Sequence, residues 1–312
     1  MRIFRRQELL MGNRFVLGVV GERGVKAEKA LSLAVDEIKR IESLLSTYQD
    51  SSIINKINRK AGVEAIEVPD EVFQLIQRAQ KISKLTDGAF DLTYGSLDKD
   101  FWNFNQQMTK LPDPRKAKAA VSLINYQHIE LNANERSVYL NKKGVRIGFG
   151  GIGKGYAADR AKKVLLDEGF ENGLVNASGD LCAWGKDEEG EDWQIALSNP
   201  DAPLEVLAQI PIRNYAVATS GTYEKFVWID GVKYSHTINP KTGYPVRGIK
   251  SVTVIAPYAE LADALTTPVA VMGAEAGIHL LNQLQGIAGI LITDDNQIVT
   301  TKNLNTKEFI LN

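Results

Sequence analysis

The chain has 312 residues, with 37 basic and 38 acidic side chains for a net charge of -1, 44% hydrophobic residues, 24% charged residues and one cysteine. At roughly 100 to 200 residues per domain, this length holds one large fold or two lobes around a buried core, which excludes a small disulfide-stapled scaffold. A charge balance near zero leaves no surplus of Lys and Arg to displace counterions from a phosphate backbone, so nucleic acid is not an expected partner and any anion must be met locally.

The opening MRIFRRQELLMGNRF is basic but lacks the apolar stretch of a signal peptide, and no segment approaches the roughly 20 apolar residues of a membrane span. As written, the chain is expected to be soluble and cytoplasmic, unless an export leader ahead of Met1 has been trimmed. RFVLGVV, residues 14–20, predicts a strand, and 25–48 a helix with Leu31, Val35, Ile38, Ile41 and Leu45 on one stripe. A second helix follows Pro69, with Asp70 as its expected N-cap, Val72, Leu75, Ile76, Ala79 and Ile82 as its stripe, and Asp87 and Gly88 as its end.

IELNANERSVYLNKKGVRIGF predicts successive strands, followed by a helix from about Gly155 to Glu168. Cys182, alone between Leu181 and Ala183, reads as core filler. WQIAL, VLAQIPI, YAVAT, KFVWIDGVKYS and KSVTVIA are short strands, hairpin-like around Asp230 and Gly231. A helical region then covers about 259–284, and GIAGILITDDNQIVT is expected to close the chain as a hairpin. Bunched strands with interspersed helices predict α+β architecture, with largely antiparallel or mixed sheets and helices packed on them.

The densest chemical signal is GFGGIGKGYAAD, residues 148–159. Gly148, Gly150 and Gly153 fit G-x-G-x-x-G, and Gly148, Gly153 and Lys154 fit most of a P-loop. Both matches fail in context. Gly155 stands where a P-loop needs Ser or Thr, and the next acidic candidate, Asp180, lies 27 positions beyond Gly153 rather than about 20. Two readings remain: an anion cradle of backbone N–H groups, helix N-terminus and Lys154, or a turn whose glycines serve tight packing.

In DALTT, Asp263 and Thr267 are four residues apart on one helical face, a carboxylate and a hydroxyl suited to Mg²⁺; the alternative is Asp263 as a helix cap. Pro268 is expected to disturb the helix beside them. His236, in YSHTINPKTGYP, follows a strand and precedes a stiff turn, a place for a proton acceptor or pyrophosphate ligand; His128 and His279 read as structural. No H-E-x-x-H or C-x-x-C occurs, so zinc is not expected. Met11, Tyr48 and the TDGAFDLTYG loop could flank a planar ring or serve packing.

In this order, MGNRF, LLSTYQDSSIINKIN, TDGAFDLTYG, FGGIGKGYAAD, VNASGD, ATSGTY, HTINPKTGYP and DALTT resemble the FAD:protein FMN transferase family, the ApbE-type flavin transferases. The resemblance implies an ApbE-type fold with one flavin-transferase domain over 1–312, which the length allows to form two lobes with the FAD site between them. It implies a transferase that uses Mg²⁺ and FAD to attach FMN through a phosphoester to a threonine of a target protein, a post-translational flavinylation that releases AMP. The implied partner is a redox-pump subunit or related flavoprotein on the exported side of a membrane, where the family usually acts.

By position, the resemblance assigns Met11, Tyr48, Ala89, Phe90, Asp91 and Lys154 to FAD. It assigns Asp263, Thr267 and the Gly151 carbonyl to the metal, and His236 to activation of the acceptor; Asp263 is the alternative proton acceptor, a role that would compete with metal binding. The chain departs from the family pattern at Gly148, where the family often has Asp, at Asn239, where it commonly has Asp, and at Pro268. Three rivals stand beside transfer: an FAD pyrophosphatase in which water replaces threonine, an FAD-binding protein without turnover, and a nicotinamide oxidoreductase read from G-x-G-x-x-G.

Overall fold

The computed structural model describes residues 1–97, 110–202, 204–221, 226–304 and 310–311. Its elements in chain order are β1 (Arg2–Leu10), β2 (Asn13–Gly21), α1 (Gly24–Leu45), α2 (Ile53–Arg59), β3 (Ile66–Glu67), α3 (Asp70–Leu85), α4 (Pro114–Ala120), β4 (Ile129–Asn132), β5 (Ser137–Leu140) and α5 (Gly153–Asp167). There follow β6 (Gly173–Ala177), β7 (Asp180–Trp184), β8 (Trp193–Ser198), β9 (Val206–Ile212), β10 (Tyr215–Gly221), β11 (Phe226–Ile229), β12 (Val232–Ser235) and β13 (Ile249–Ala256). The last are α6 (Ala259–Met272), α7 (Ala274–Gln283), β14 (Ala288–Thr293), β15 (Ile298–Thr300) and β16 (Ile310–Leu311).

An eight-stranded sheet in the order β1-β2-β6-β7-β10-β13-β14-β15 forms the centre, with every neighbouring pair antiparallel. Alternation along its strands sends side chains to two different cores. Cys182 and Trp184 of β7, Ala216 and Ala218 of β10, and Val252 and Val254 of β13 face the larger core shared with α1, α5 and α6. Their neighbours Leu181, Ala183, Val217 and Ile255 face a smaller core closed by Trp193, Ile210 and Ile212 of the β16-β9-β8 sheet. The architecture is α+β with antiparallel sheets, as the spacing of apolar residues predicts.

The stripes predicted for α1 and α3 are buried throughout. Cys182 is buried in the core, its Sγ donating to the Ala158 carbonyl at 3.7 Å. Among the described residues, no helix is long and apolar enough to cross a membrane.

Other expectations need correction. β1 is an edge strand that the opening segment conceals, because its exposed positions, Arg2 on one face and Arg5, Gln7 and Leu9 on the other, break the apolar alternation, and charge on an exposed edge blunts pairing with other chains. Pro69, not Asp70, is the N-cap of α3, and Asp70 instead places its charge in the first turn, where the helix dipole favours it. VRIGF is not a strand. Its backbone is satisfied elsewhere: Asn58 donates to the Ile147 carbonyl at 3.0 Å and accepts from Ile147 N–H at 2.7 Å, and Gly148 N–H donates to the Leu92 carbonyl at 2.9 Å.

The region 259–284 is two helices broken at Gly273, whose φ of 86° is left-handed. Pro268 lies buried inside α6, which continues past it to Met272. The β14–β15 hairpin does not end the chain's pairing, since β16 adds to β9. Residues 222 and 223 of ATSGTY and Lys225 of KFVWIDGVKYS lie outside the described residues.

The helix layer is fixed by a close crossing of α5 and α6. A Cβ on Gly155 would lie 2.2 Å from the Ala259 carbonyl oxygen, so no other residue type lets the two backbones approach this closely. Arg78 of α3 holds Glu260 with two hydrogen bonds, of 2.6 and 2.8 Å, while Tyr156 of α5 donates to Glu71 at 2.5 Å. Gly155→Ala is expected to lower the unfolding free energy by about 1–3 kcal/mol, the usual cost of overpacking, read as a reduced urea midpoint with unchanged slope. An unchanged midpoint would show that the crossing is loose.

Candidate functional site

A cavity of about 780 Å³ opens where element ends converge on one side of α5 and α6. The β1–β2 hairpin contributes Met11. Its two-residue turn, Met11 and Gly12 with φ of 52° and 70°, joins the Leu10 and Asn13 pair, a geometry whose twist suits a hairpin but is costly for Met. Asn13 Nδ2 donates to the Met11 carbonyl at 2.8 Å and so holds the turn. A Cβ on Gly153 would sit 3.6 Å from the Met11 methyl, which places this side chain against the start of α5.

After α1, the segment Leu45–Gln49 forms another wall, where Tyr48 is 85% exposed at the mouth. The loop after α3 supplies Ala89, Phe90 and Asp91, all buried lining residues. Phe90 N–H donates to Thr86 Oγ1 at 3.1 Å, and the Phe90 ring lies 3.7 Å from where a Cβ on Gly151 would stand. Asp91 Oδ1 caps the following 3-10 turn by accepting from Thr93 N–H at 2.8 Å and Thr93 Oγ1 at 2.6 Å. Burial nonetheless pushes its carboxyl above the usual range.

The glycine-rich turn folds onto one carbonyl: Ile152 and Gly153 N–H both donate to Phe149 O, at 3.2 and 2.7 Å, and α5 starts at Gly153, two residues earlier than expected. Gly150, Gly151 and Lys154 line the cavity. Lys154 Nζ pairs with the carboxylate of Asp180, which is buried as the first residue of β7. The sequence offered Asp180 only as a failed ribose ligand. The signal that could have found it is the Ser178 and Gly179 turn, both with positive φ, which returns the chain from β6 and sets Asp180 beside the turn.

Asp263 does not line the cavity surface; it stands behind the glycine turn. Its Oδ2 accepts from Gly155 N–H at 3.1 Å, so it caps a neighbouring helix rather than its own. Burial raises its carboxyl, an effect that nearby Lys154 opposes. Thr267, one turn further along α6, reaches the cavity. The set of Asp263, Thr267 and the Gly151 carbonyl consists of oxygens with a single carboxylate, which fits Mg²⁺, a cation that takes few protein ligands and keeps positions for phosphate and water. Among the described residues, no three His, Cys, Asp or Glu side chains gather into a metal cluster.

His236 follows β12 directly and lines the opposite wall with Thr237 and Ile238. Its loop is docked at both ends. Ile238 N–H donates to Tyr94 Oη at 3.1 Å, Tyr244 Oη donates to the Pro112 carbonyl at 2.6 Å, and Lys241 pairs with Asp87. Gly243, with φ of 77°, passes so close to α4 that a Cβ would lie 2.1 Å from the Ala117 carbonyl oxygen. Asn239 Oδ1 accepts from Lys241 N–H at 2.8 Å, an Asx turn for which Asn suffices. At Gly148, a Cβ would meet only ordinary contacts, 3.7 Å from Thr47 and 3.8 Å from Gly95, so packing does not demand glycine there.

The cavity thus gathers Met11, Tyr48, Ala89, Phe90, Asp91, Gly151, Lys154, His236 and Thr267, with Asp263 behind it. Lys154→Ala would leave Asp180 buried without this partner, at a cost near the lower end of about 3–5 kcal/mol because the lysine is partly exposed. Adding Asp180→Asn is expected to recover most of the thermal stability without recovering binding of a dinucleotide anion. Recovery of both would assign the lysine a purely structural role.

The family model described as the ApbE family matches residues 11–291. An FAD:protein FMN transferase of Klebsiella pneumoniae (strain 342) is 32% identical over 300 residues, covering 96% of this chain and 92% of that protein. The FAD:protein FMN transferase of Escherichia coli (strain K12) is 30% identical over 290 residues, covering 91% and 81%. Among solved structures, an ApbE protein from Thermotoga maritima superposes with a TM-score of 0.87 at 31% identity, covering 96% of this chain and 97% of that one. The apo form of the flavinyl transferase ApbE from Pseudomonas stutzeri gives 0.83 at 27% identity, covering 96% and 95%. With a family match across nearly its whole length and the same fold in its relatives, the chain belongs to the ApbE family.

Proposed function

We propose that the protein transfers FMN from FAD to a threonine hydroxyl of an acceptor protein and releases AMP, with Mg²⁺ bound beside the diphosphate. The observation that carries this reading is the single cavity onto which the glycine turn, Lys154, Thr267 and the His236 loop converge. The start of α5 is a helix N-terminus of the kind that receives a diphosphate, and Lys154, paired with Asp180, sets an ammonium beside it. Met11, Tyr48 and Phe90 provide apolar and aromatic surface for a planar ring system.

In the proposed reaction, the threonine oxygen forms a bond to the FMN-side phosphorus as the bridging P–O bond breaks, and AMP departs with the bridging oxygen. His236 accepts the hydroxyl proton. Asp263, already engaged with Gly155 N–H, serves as an anionic ligand rather than as the base. A divalent ion held by Asp263, Thr267 and the Gly151 carbonyl would neutralise charge on the diphosphate and favour AMP as a leaving group. No side chain in the cavity needs to form a covalent intermediate, because phosphoryl chemistry is accelerated chiefly by placement and charge compensation. The acceptor is expected among flavin-carrying redox proteins, including subunits of redox pumps.

Intact mass of an acceptor protein incubated with FAD, Mg²⁺ and the enzyme tests this reading. The acceptor should gain one FMN with AMP released, and a chelator or Asp263→Ala should abolish the gain. His236→Ala should slow transfer by about 10²–10⁴-fold with little change in FAD affinity, the range for loss of a general base. Free FMN without acceptor labelling would establish a pyrophosphatase instead, and FAD left intact would establish a binding protein.

A further inference from the structure

We propose that Asp159 is a positioning residue for this site: by capping the start of α6, it sets the helix so that Asp263 meets the α5 N-terminus and Thr267 meets the cavity. The inference rests on the reading of Asp263 and Thr267 as metal ligands, but the capping geometry stands without it.

The two helices cap each other. Gly155 N–H at the start of α5 donates to Asp263 Oδ2, while Ala259 and Glu260 N–H at the start of α6 donate to Asp159 Oδ1 and Oδ2, at 3.0 and 2.9 Å. Asp159 lies one turn beyond Gly155 on α5, and Asp263 lies one turn beyond Ala259 on α6. Neither helix is capped by its own N-cap side chain: these residues are Ile152 and Tyr258, and neither accepts a capping hydrogen bond. Each terminus therefore draws its capping side chain from the other helix.

A helix is stiff over two turns, so fixing Ala259 and Glu260 also fixes where Asp263 and Thr267 fall. The contact between Gly155 and Ala259 removes the freedom to slide, and Asp159 sets the remaining rotation of α6. Desolvation of the Asp159 carboxylate, despite the two N–H donors, pushes it up to about 6. A carboxylate held here at some cost, where a neutral residue would pack more easily, is consistent with a role in placement.

The test compares wild type with Asp159→Asn at about pH 8, where the native carboxylate is ionised. In chelator, hydrogen exchange at the Gly155 amide should accelerate by about tenfold, while the Leu17 amide in β2 keeps its protection, because only the crossing loosens. Titration of the FAD-loaded protein with Mn²⁺ should show affinity weakened by about ten- to a hundredfold, with FAD affinity in chelator within about twofold of wild type. Asp159→Ser, whose hydroxyl can serve only part of the cap, gives the same comparison if the Asn variant does not fold.

Unchanged exchange at Gly155, or equal acceleration at Gly155 and Leu17, would overturn the positioning role. Acceleration confined to Gly155 in a protein whose wild type binds no Mn²⁺ would support the positioning of Asp263 while overturning its assignment as a metal ligand.

Discussion

The mutual capping of α5 and α6 is the constraint on which the site depends. Two helix starts meet where only glycine allows the backbones to touch, and each is closed by a carboxylate from the other. A side-chain cap contributes about 0.5–2 kcal/mol, and burial of the carboxylates offsets part of that gain. The larger consequence is geometric. The crossing brings the start of α5 and Thr267 of α6 to one cavity, with Asp263 behind it closing the α5 N-terminus.

Around that cavity, the remaining groups come from element ends: a hairpin turn, the loop after α3 and the loop after β12. A rigid antiparallel sheet with cores on both faces holds those ends in place, a common division of labour between scaffold and site. Local strain is found there too. Met11 occupies a left-handed turn position that Gly or Asn would adopt at less cost, and its methyl packs against the start of α5. The histidine loop is tied down by Tyr94, by Lys241 with Asp87, and by the close passage of Gly243 over α4. His236 is thereby presented from a fixed loop.

Elements with a strong period were legible in the sequence. The stripes of α1 and α3 and the apolar strands β8 to β13 follow from spacing alone, and the ordered motifs pointed to the cavity-lining residues. What escaped was set by distant partners. VRIGF has the alternation of a strand, yet Asn58 and Leu92 take its hydrogen bonds. The charged edge strand β1 shows no clean apolar face. Asp180 meets Lys154 across 26 positions, and Asp159 meets Ala259 across 100, so neither pairing leaves a local trace. Asp263 was weighed as a cap of its own helix or a metal ligand; the structure makes it the cap of another helix.

A crystal structure with FAD and Mn²⁺, the metal located by its anomalous scattering, tests this arrangement most directly. The manganese peak should touch Asp263, Thr267 and a diphosphate oxygen, with the diphosphate at the start of α5 beside Lys154. A metal bound elsewhere, or a diphosphate lying away from the glycine turn, would contradict it.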